Sequence, residues 1–244
     1  MKYTNESGRS MVEMLGVLAI IGVLSVGGIA GYSKAMNKYK INKTTDQVSM
    51  LVANIRTIYS TQGNYKGLDE EAAINFGVVP NDMIKADGKT LNNAFGGPVT
   101  IAEADGRSSG DGEAFIIAYE GLTKEACITI ATGDWGSGQA SGLLGIAAAG
   151  TDGAATVVAD AYTTGYSAST PTQTTSLGGN SGLMIAEGDT TSGSTATNTV
   201  CKADSCLAVP GGVGGAAKTP MPVTDAVAAC SDEGSSNSVA WKYY

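Results

Sequence analysis

The sequence predicts an α+β fold in which a long N-terminal helix packs on a globular domain built around an antiparallel β-sheet. Three observations predict it. An uncharged apolar run at residues 14–33 passes into a helical apolar periodicity that lasts to Tyr59. Beyond residue 64, short β-branched and aromatic runs alternate with Gly-, Ser- and Asn-rich turns. All four cysteines, Cys127, Cys201, Cys206 and Cys230, stand in the C-terminal half. With 244 residues the chain holds one core and one stalk. Its 34 glycines and 16% charged residues suit a loop-rich β domain, and 43% apolar content is enough to fill a core.

The apolar run contains twenty residues, which as a helix would reach about 30 Å, the thickness of a bilayer core. Nothing in it is more polar than Ser25 and Ser33, and Gly27 and Gly31 form a small-residue pair spaced for close helix contact. Past it, Val48, Leu51, Val52, Ile55, Ile58 and Tyr59 recur at steps of three and four, with Asp46, Gln47, Asn54 and Arg56 on the other face. One unbroken helix from about Ser10 to Thr61 is expected, about 78 Å long, ending at Gly63.

Glu13 stands one position before the apolar run. Drawing that carboxylate toward hydrocarbon costs about 3 kcal/mol at depth and less at the interface, so it needs a partner or an interfacial position. The segment Ser7-Gly8-Arg9-Ser10-Met11-Val12-Glu13-Met14-Leu15-Gly16-Val17 resembles the prepilin signal of type IV pilins and type II secretion pseudopilins. In that family a short polar leader ends in Gly, and a Glu holds the fifth mature position ahead of an unbroken apolar helix. Counted from Arg9, Glu13 is fifth, although Arg9 stands where the family usually has Phe or Met. The resemblance implies cleavage after Gly8, N-methylation of the new terminus at Arg9, and pairing of Glu13 with the terminal amine of a neighbouring subunit. It divides the chain into a leader at 1–8, a transmembrane or filament-core helix at 9–33, an amphipathic continuation at 34–63 and a globular region at 64–244.

Two other readings of this segment compete. Gly28-Ile29-Ala30 could serve as the small-x-small cleavage site of an ordinary secretory signal, giving a secreted binding domain with a mature start near Gly31. A plain bitopic protein is the other, and Lys34, Lys38, Lys40 and Lys43 would then place the C-terminal domain in the cytoplasm. Against the first, the leader's charges cancel and Glu13 abuts the run; against the second stands the cysteine usage.

In the globular region a short helix is expected near residues 68–75, followed by the turn Gly96-Gly97-Pro98. The order of these pieces resembles the loop between the first helix and the sheet in type IVb major pilins. Strands are expected at 99–102 and 114–119, joined by a Gly- and Ser-rich hairpin loop at 105–112, and a final strand at 238–241. Residues 122–130 read as a helix capped by Thr123. Residues 131–200 read as a surface-facing β and loop subdomain, with a linker as the alternative.

An even cysteine count suits two disulfides in an oxidising compartment, and three pairings are possible. The resemblance to type IVb pilins implies Cys127 with Cys230, which leaves Cys201 and Cys206 for a local bridge. Charge is split: residues 1–63 carry seven Lys or Arg against three Asp or Glu, and residues 64–244 carry eight against twenty. So acidic a domain repels phosphate backbones, and no nucleic-acid partner is expected.

The chain has no His, which excludes Ser-His and Cys-His nucleophiles, and no cofactor or enzymatic activity is expected. Gly88-Lys89-Thr90 has the tail of a phosphate loop, but Met83 occupies the position of its first glycine, so it reads as an exposed turn. Asp105, Asp111 and Glu113 could approach one another, yet their spacing matches no calcium loop, and no metal site is expected. What the resemblance implies is a structural subunit, a major pilin, polymerising with itself through the apolar helix. Its partners would be a prepilin peptidase, an inner-membrane assembly platform, a motor ATPase and, before assembly, the bacterial inner membrane. The filament would be extracellular. A minor pilin or secretion pseudopilin with the same N terminus is the alternative.

Overall fold

The computed structural model describes residues 11–105, 112–136, 142–150, 153–159, 181–185, 197–202, 205–210, 221 and 223–244, with the backbone alone for the strands between 181 and 210. The chain divides into two compact units, Met1–Lys40 and Ile41–Tyr244. Helix α1, Met11–Tyr59, supplies the described residues of the first and opens the second. It is uninterrupted because its many glycines are spread among strong apolar helix formers and it holds no proline. It stops where Gln62 N–H bonds back to Tyr59 O at 3.0 Å and Gly63 turns to φ +71°.

Within the second unit α1 buries Ile41, Thr44, Gln47, Val48, Leu51, Ile55 and Tyr59. The apolar spacing is the one legible in sequence, with two corrections. Gln47 is buried, because its amide reaches Asp82, and Ile58 is exposed, one helical step off the buried stripe. Burying each of Val48, Leu51 and Ile55 contributes about 1.5–3 kcal/mol.

Helix α2, Glu70–Asn75, is capped by Asp69, whose carboxylate accepts from Ala72 N at 2.7 Å. A single 3-10 turn at Asn81–Met83 follows. Strands β1 (Leu91–Asn92), β2 (Pro98–Ala104) and β3 (Ala114–Leu122) form an antiparallel meander. Thr123 caps α3, Lys124–Ala131. Then come β4 (Leu143–Ala149), α4 (Ala154–Ala159), β5 (Ser181–Ile185), β6 (Thr197–Lys202), β7 (Ser205–Pro210), α5 (Val223–Ala229) and β8 (Asn237–Tyr243). Among the described residues the sheet has eight strands in the order β1-β2-β3-β8-β4-β5-β6-β7, with every pairing antiparallel.

The C-terminal strand β8 therefore lies between β3 and β4, with Trp241 opposite Ile117 on one side and Ile146 on the other. Trp241, Tyr119, Phe115, Ile117, Val239 and Tyr243 form the buried cluster that α1 and α3 complete. The opposite face carries Ala118, Ala240 and Ala147 in register, and α4 packs there, with Ala154 N donating to Ser238 Oγ at 3.1 Å. Small side chains let the helix approach closely. Of the stretch 131–200, the described strands β4, β5 and β6 belong to the one sheet. Leu143, Ile146 and Ala148 of β4 pack in the same core, with a register shift between Leu143 and Gly145. The hairpin loop expected at 105–112 lies mostly outside the described residues.

Candidate functional site

Residues 11–35 present no buried side chain. Met11, Val12, Leu15, Leu18, Val23, Leu24 and Val26 are each more than half exposed. The two hydroxyls in this stretch are satisfied within the helix: Ser25 Oγ donates to Ile21 O at 2.7 Å and Ser33 Oγ to Ile29 O at 3.0 Å. Glu13 is the single Asp, Glu, Lys or Arg between Met11 and Ser33. It occupies the first turn of α1, at the helix end that carries a partial positive charge. A continuous apolar surface of this length is far larger than a soluble monomer exposes, and chemically it calls for a cover of lipid or of other such helices. Gly8 and Arg9 lie outside the described residues.

At the start of the second unit, Asp82 on the 3-10 turn receives Lys43 Nζ at 2.6 Å and Gln47 Nε2 at 3.2 Å. The hydrogen bond from Lys43 is the main reason its carboxyl is held below the usual carboxylate range. On the same side of α1, the oxygens of Thr44 and Gln47 are buried and accept nothing within the described residues. Farther along, burial pushes the Tyr119 and Tyr243 hydroxyls well above the ordinary phenol range.

Cys127 on α3 and Cys230, directly after α5, form a disulfide with S–S 2.01 Å and Cα–Cα 5.9 Å across 103 residues of sequence. Both residues are fully buried. The bridge closes the segment that holds β4, α4, β5, β6, β7 and α5 into one covalent loop at the core. Within it, the antiparallel register of β6 and β7 sets Cys201 opposite Cys206 and Lys202 opposite Ser205. Two asparagines that the sequence did not single out fix the ends of the sheet. Asn93 donates to Glu120 O at 2.7 Å, and Asn237 donates to Leu122 O at 3.2 Å and Asp232 O at 2.9 Å. Their only sequence signal is position beside turns.

Among the described residues no group of three or more Asp, Glu or Cys is placed to hold a metal ion. Asp105 and Glu113 are described, and Asp111 is not.

The family described as PilS N terminal matches residues 38–176, more than half of the chain. The chain belongs to this family. Its match covers α1 from the lysine-rich segment onward, the αβ connection, the first three strands and Cys127, and it leaves out Glu13 and Cys230. Among curated proteins, the major structural subunit of bundle-forming pilus from Escherichia coli O127:H6 is 26% identical over 127 residues, 52% of this chain and 64% of that one. The toxin coregulated pilin of Vibrio cholerae serotype O1 is 28% identical over 134 residues, 54% of this chain and 59% of that one. The chain thus spans about three fifths of the length of these relatives. Two solved structures resemble it loosely: a type IV b pilin from Salmonella typhi (TM-score 0.42, 14% identity, 83% of this chain and 97% of that one) and TcpA, a type IV pilin from Vibrio cholerae El Tor (TM-score 0.45, 19% identity, 84% and 99%). Family membership rests on the sequence match.

Proposed function

We propose that this chain is the structural subunit, a major pilin, of a type IVb-like pilus. The observation that carries the reading is the fully exposed apolar half of α1 with Glu13 alone at its start. It is supported by membership of the PilS N-terminal family and by relatives described as a major pilus subunit and a toxin coregulated pilin. The precursor spans the inner membrane through residues 9–33. Prepilin peptidase cuts after Gly8, and the assembly platform and motor ATPase feed the helix into a bundle of identical helices. There Glu13 pairs with the amine of Arg9 on a neighbouring copy, because a carboxylate inside an apolar bundle must be neutralised. The acidic, disulfide-closed domain forms the outer surface of an extracellular filament. It has no catalytic role and does not engage nucleic acid.

The second cysteine pair also belongs to this proposal. Cys201 and Cys206 are directly opposite in the register of β6 with β7, and directly opposite residues of an antiparallel ladder have Cα atoms about 4.5–5.5 Å apart, a separation a disulfide can bridge. We infer a Cys201–Cys206 bridge, formed by thiol–disulfide exchange with an oxidant disulfide that leaves as its dithiol. Trypsin cuts after Lys124, Lys202, Lys218 and Lys242, so with both bridges intact peptides 125–202, 203–218 and 219–242 would run as one species without reduction, and the Cys201–Cys206 bridge is what adds 203–218 to it.

Mass spectrometry of protein sheared from the cell surface tests the main reading. A methylated N terminus at Arg9 is expected, together with loss of filaments on Glu13→Ala while the precursor still accumulates in the membrane. A mature start near Gly31, or an uncleaved chain, overturns it.

A further inference from the structure

Past the apolar run α1 changes character within one turn. Between Glu13 and Asp46 the helix carries no carboxylate, and its charges there are Lys34, Lys38, Lys40 and Lys43. Lys43 is engaged by Asp82 and Lys40 is half-buried, while Lys34 and Lys38 are exposed. Four residues apart, these two stand one turn apart on one face, about 6 Å along the axis. Tyr32 and Tyr39, 67% and 59% exposed, bracket them, and at seven residues apart they also share a face. All four residues belong to the Met1–Lys40 unit.

Tyrosines at the end of an apolar span sit where a bilayer meets water, with the ring in the headgroup zone. Lysines at the same depth can stretch their ammonium groups to lipid phosphates while their methylenes stay among the acyl chains. No acidic residue of this stretch can neutralise Lys34 or Lys38 along the helix, and under the proposed topology they face the outer leaflet against the usual charge bias.

We propose that Lys34 and Lys38, flanked by Tyr32 and Tyr39, form a docking surface for anionic phospholipid headgroups in the membrane-inserted precursor. It rests on the membrane-spanning reading above. The occupant is the lipid surface, because charge complementarity and interfacial aromatic residues coincide at the end of a bilayer-length apolar run. The domain beyond residue 63 is strongly acidic and is repelled by such a surface, so attraction to it has to come from this segment. Each lysine near an anionic surface is worth about fivefold in affinity, so the pair is worth about 25-fold at low salt.

Full-length protein in nonionic detergent is titrated with phosphatidylglycerol or with phosphatidylcholine, and bound lipid is counted by native mass spectrometry. The expected result is a preference of about tenfold or more for phosphatidylglycerol, which Lys34→Gln with Lys38→Gln abolishes while phosphatidylcholine binding is unchanged and the domain keeps its circular dichroism. Inorganic phosphate at matched concentration should not compete. Equal binding of the two lipids, or a preference that survives the double substitution, overturns the proposal and leaves the membrane reading intact. So does a double variant that changes only self-association, which would assign the patch to a second copy. Failure to hold either lipid overturns both.

Discussion

Gly97 and Gly121 meet where β2 begins and β3 ends, with no room between them for a β-carbon. A β-carbon on Gly97 would lie 2.7 Å from Gly121 Cα and 2.0 Å from the carbonyl oxygen of Glu120. Gly121 itself sits at φ +70° in the irregularity that shifts the β3 and β8 register after Tyr119. Asn93 closes the same corner. Its Oδ1 accepts from Phe95 N at 2.8 Å and Gly97 N at 3.1 Å, and its amide donates to Glu120 O.

Gly97→Ala should therefore destabilise the domain by about 3 kcal/mol or more, because the clash is with backbone that cannot rotate away. Gly96→Ala is the matched control. Gly96 has φ +93° but open space around it, so the substitution should cost only the strain of that backbone region, about 1–2 kcal/mol. Urea denaturation of both variants measures the difference; equal costs would mean the close approach is relieved at little expense.

Asn237→Asp should make stability fall as pH rises. Asn237 is fully buried, its amide donates to Leu122 O and Asp232 O, and its oxygen accepts from Asp232 N. A carboxylate there would face two carbonyl oxygens without a proton to offer, so its folded pKa would rise above the ordinary value of about 3.9. Relative to the wild type, the variant should lose least below pH about 4 and progressively more as pH climbs toward that raised value. A gap between the variant's and the wild type's denaturation midpoints that does not change with pH between about 4 and 7 would sink this account.

The long helix, the first strands and the α3 cap were legible because each is specified locally. The apolar period of Val48, Leu51 and Ile55, the Gly96-Gly97-Pro98 turn and the Thr123 cap all lie within a few residues of what they determine. The place of β4 beside β8 was not legible, since it depends on pairing Ile146 with Trp241, nearly a hundred residues apart. Periodicity alone puts Gln47 on the solvent face, because the partner that buries it, Asp82, is distant in sequence. Of the candidate site, Glu13 and the apolar run could be read directly. The register of Cys201 with Cys206 required β6 and β7 to be placed first.

Acid sensitivity should have two separable steps. Asp87 is held at about 2, chiefly by the hydroxyl of Thr90 and by the amides of Lys89 and Thr90, and Asp82 is held below its usual value chiefly by Lys43. Both folded values lie below the unfolded one of about 3.9. Each group therefore contributes stability that is complete above pH about 4–5 and is lost as pH falls through its folded pKa. In Lys43→Met the Asp82 carboxyl should titrate nearer its ordinary value while Asp87 does not move. Carboxyl carbon chemical shifts followed by NMR from pH about 6 down to 2 resolve the two; a Lys43→Met variant with unchanged Asp82 titration would refute the assignment to Lys43.

Removing the Cys127–Cys230 bridge should be costly but not necessarily fatal to the fold. In the chain-entropy view a cross-link closing a loop of about 100 residues stabilises by about 4–5 kcal/mol, and native-state effects commonly lower that to about 3. Such a loss is a large part of the total stability of a domain. Replacing both residues by Ser avoids a lone reactive thiol and leaves a buried hydroxyl pair. The double variant should lose about 3–5 kcal/mol in urea denaturation. Because both cysteines are buried, a mild reductant added to the native protein should act only at the rate of unfolding. Rapid reduction of the folded wild type would show that the bridge opens to solvent without global unfolding. A loss under about 1 kcal/mol would show that α3 and α5 hold together through packing alone.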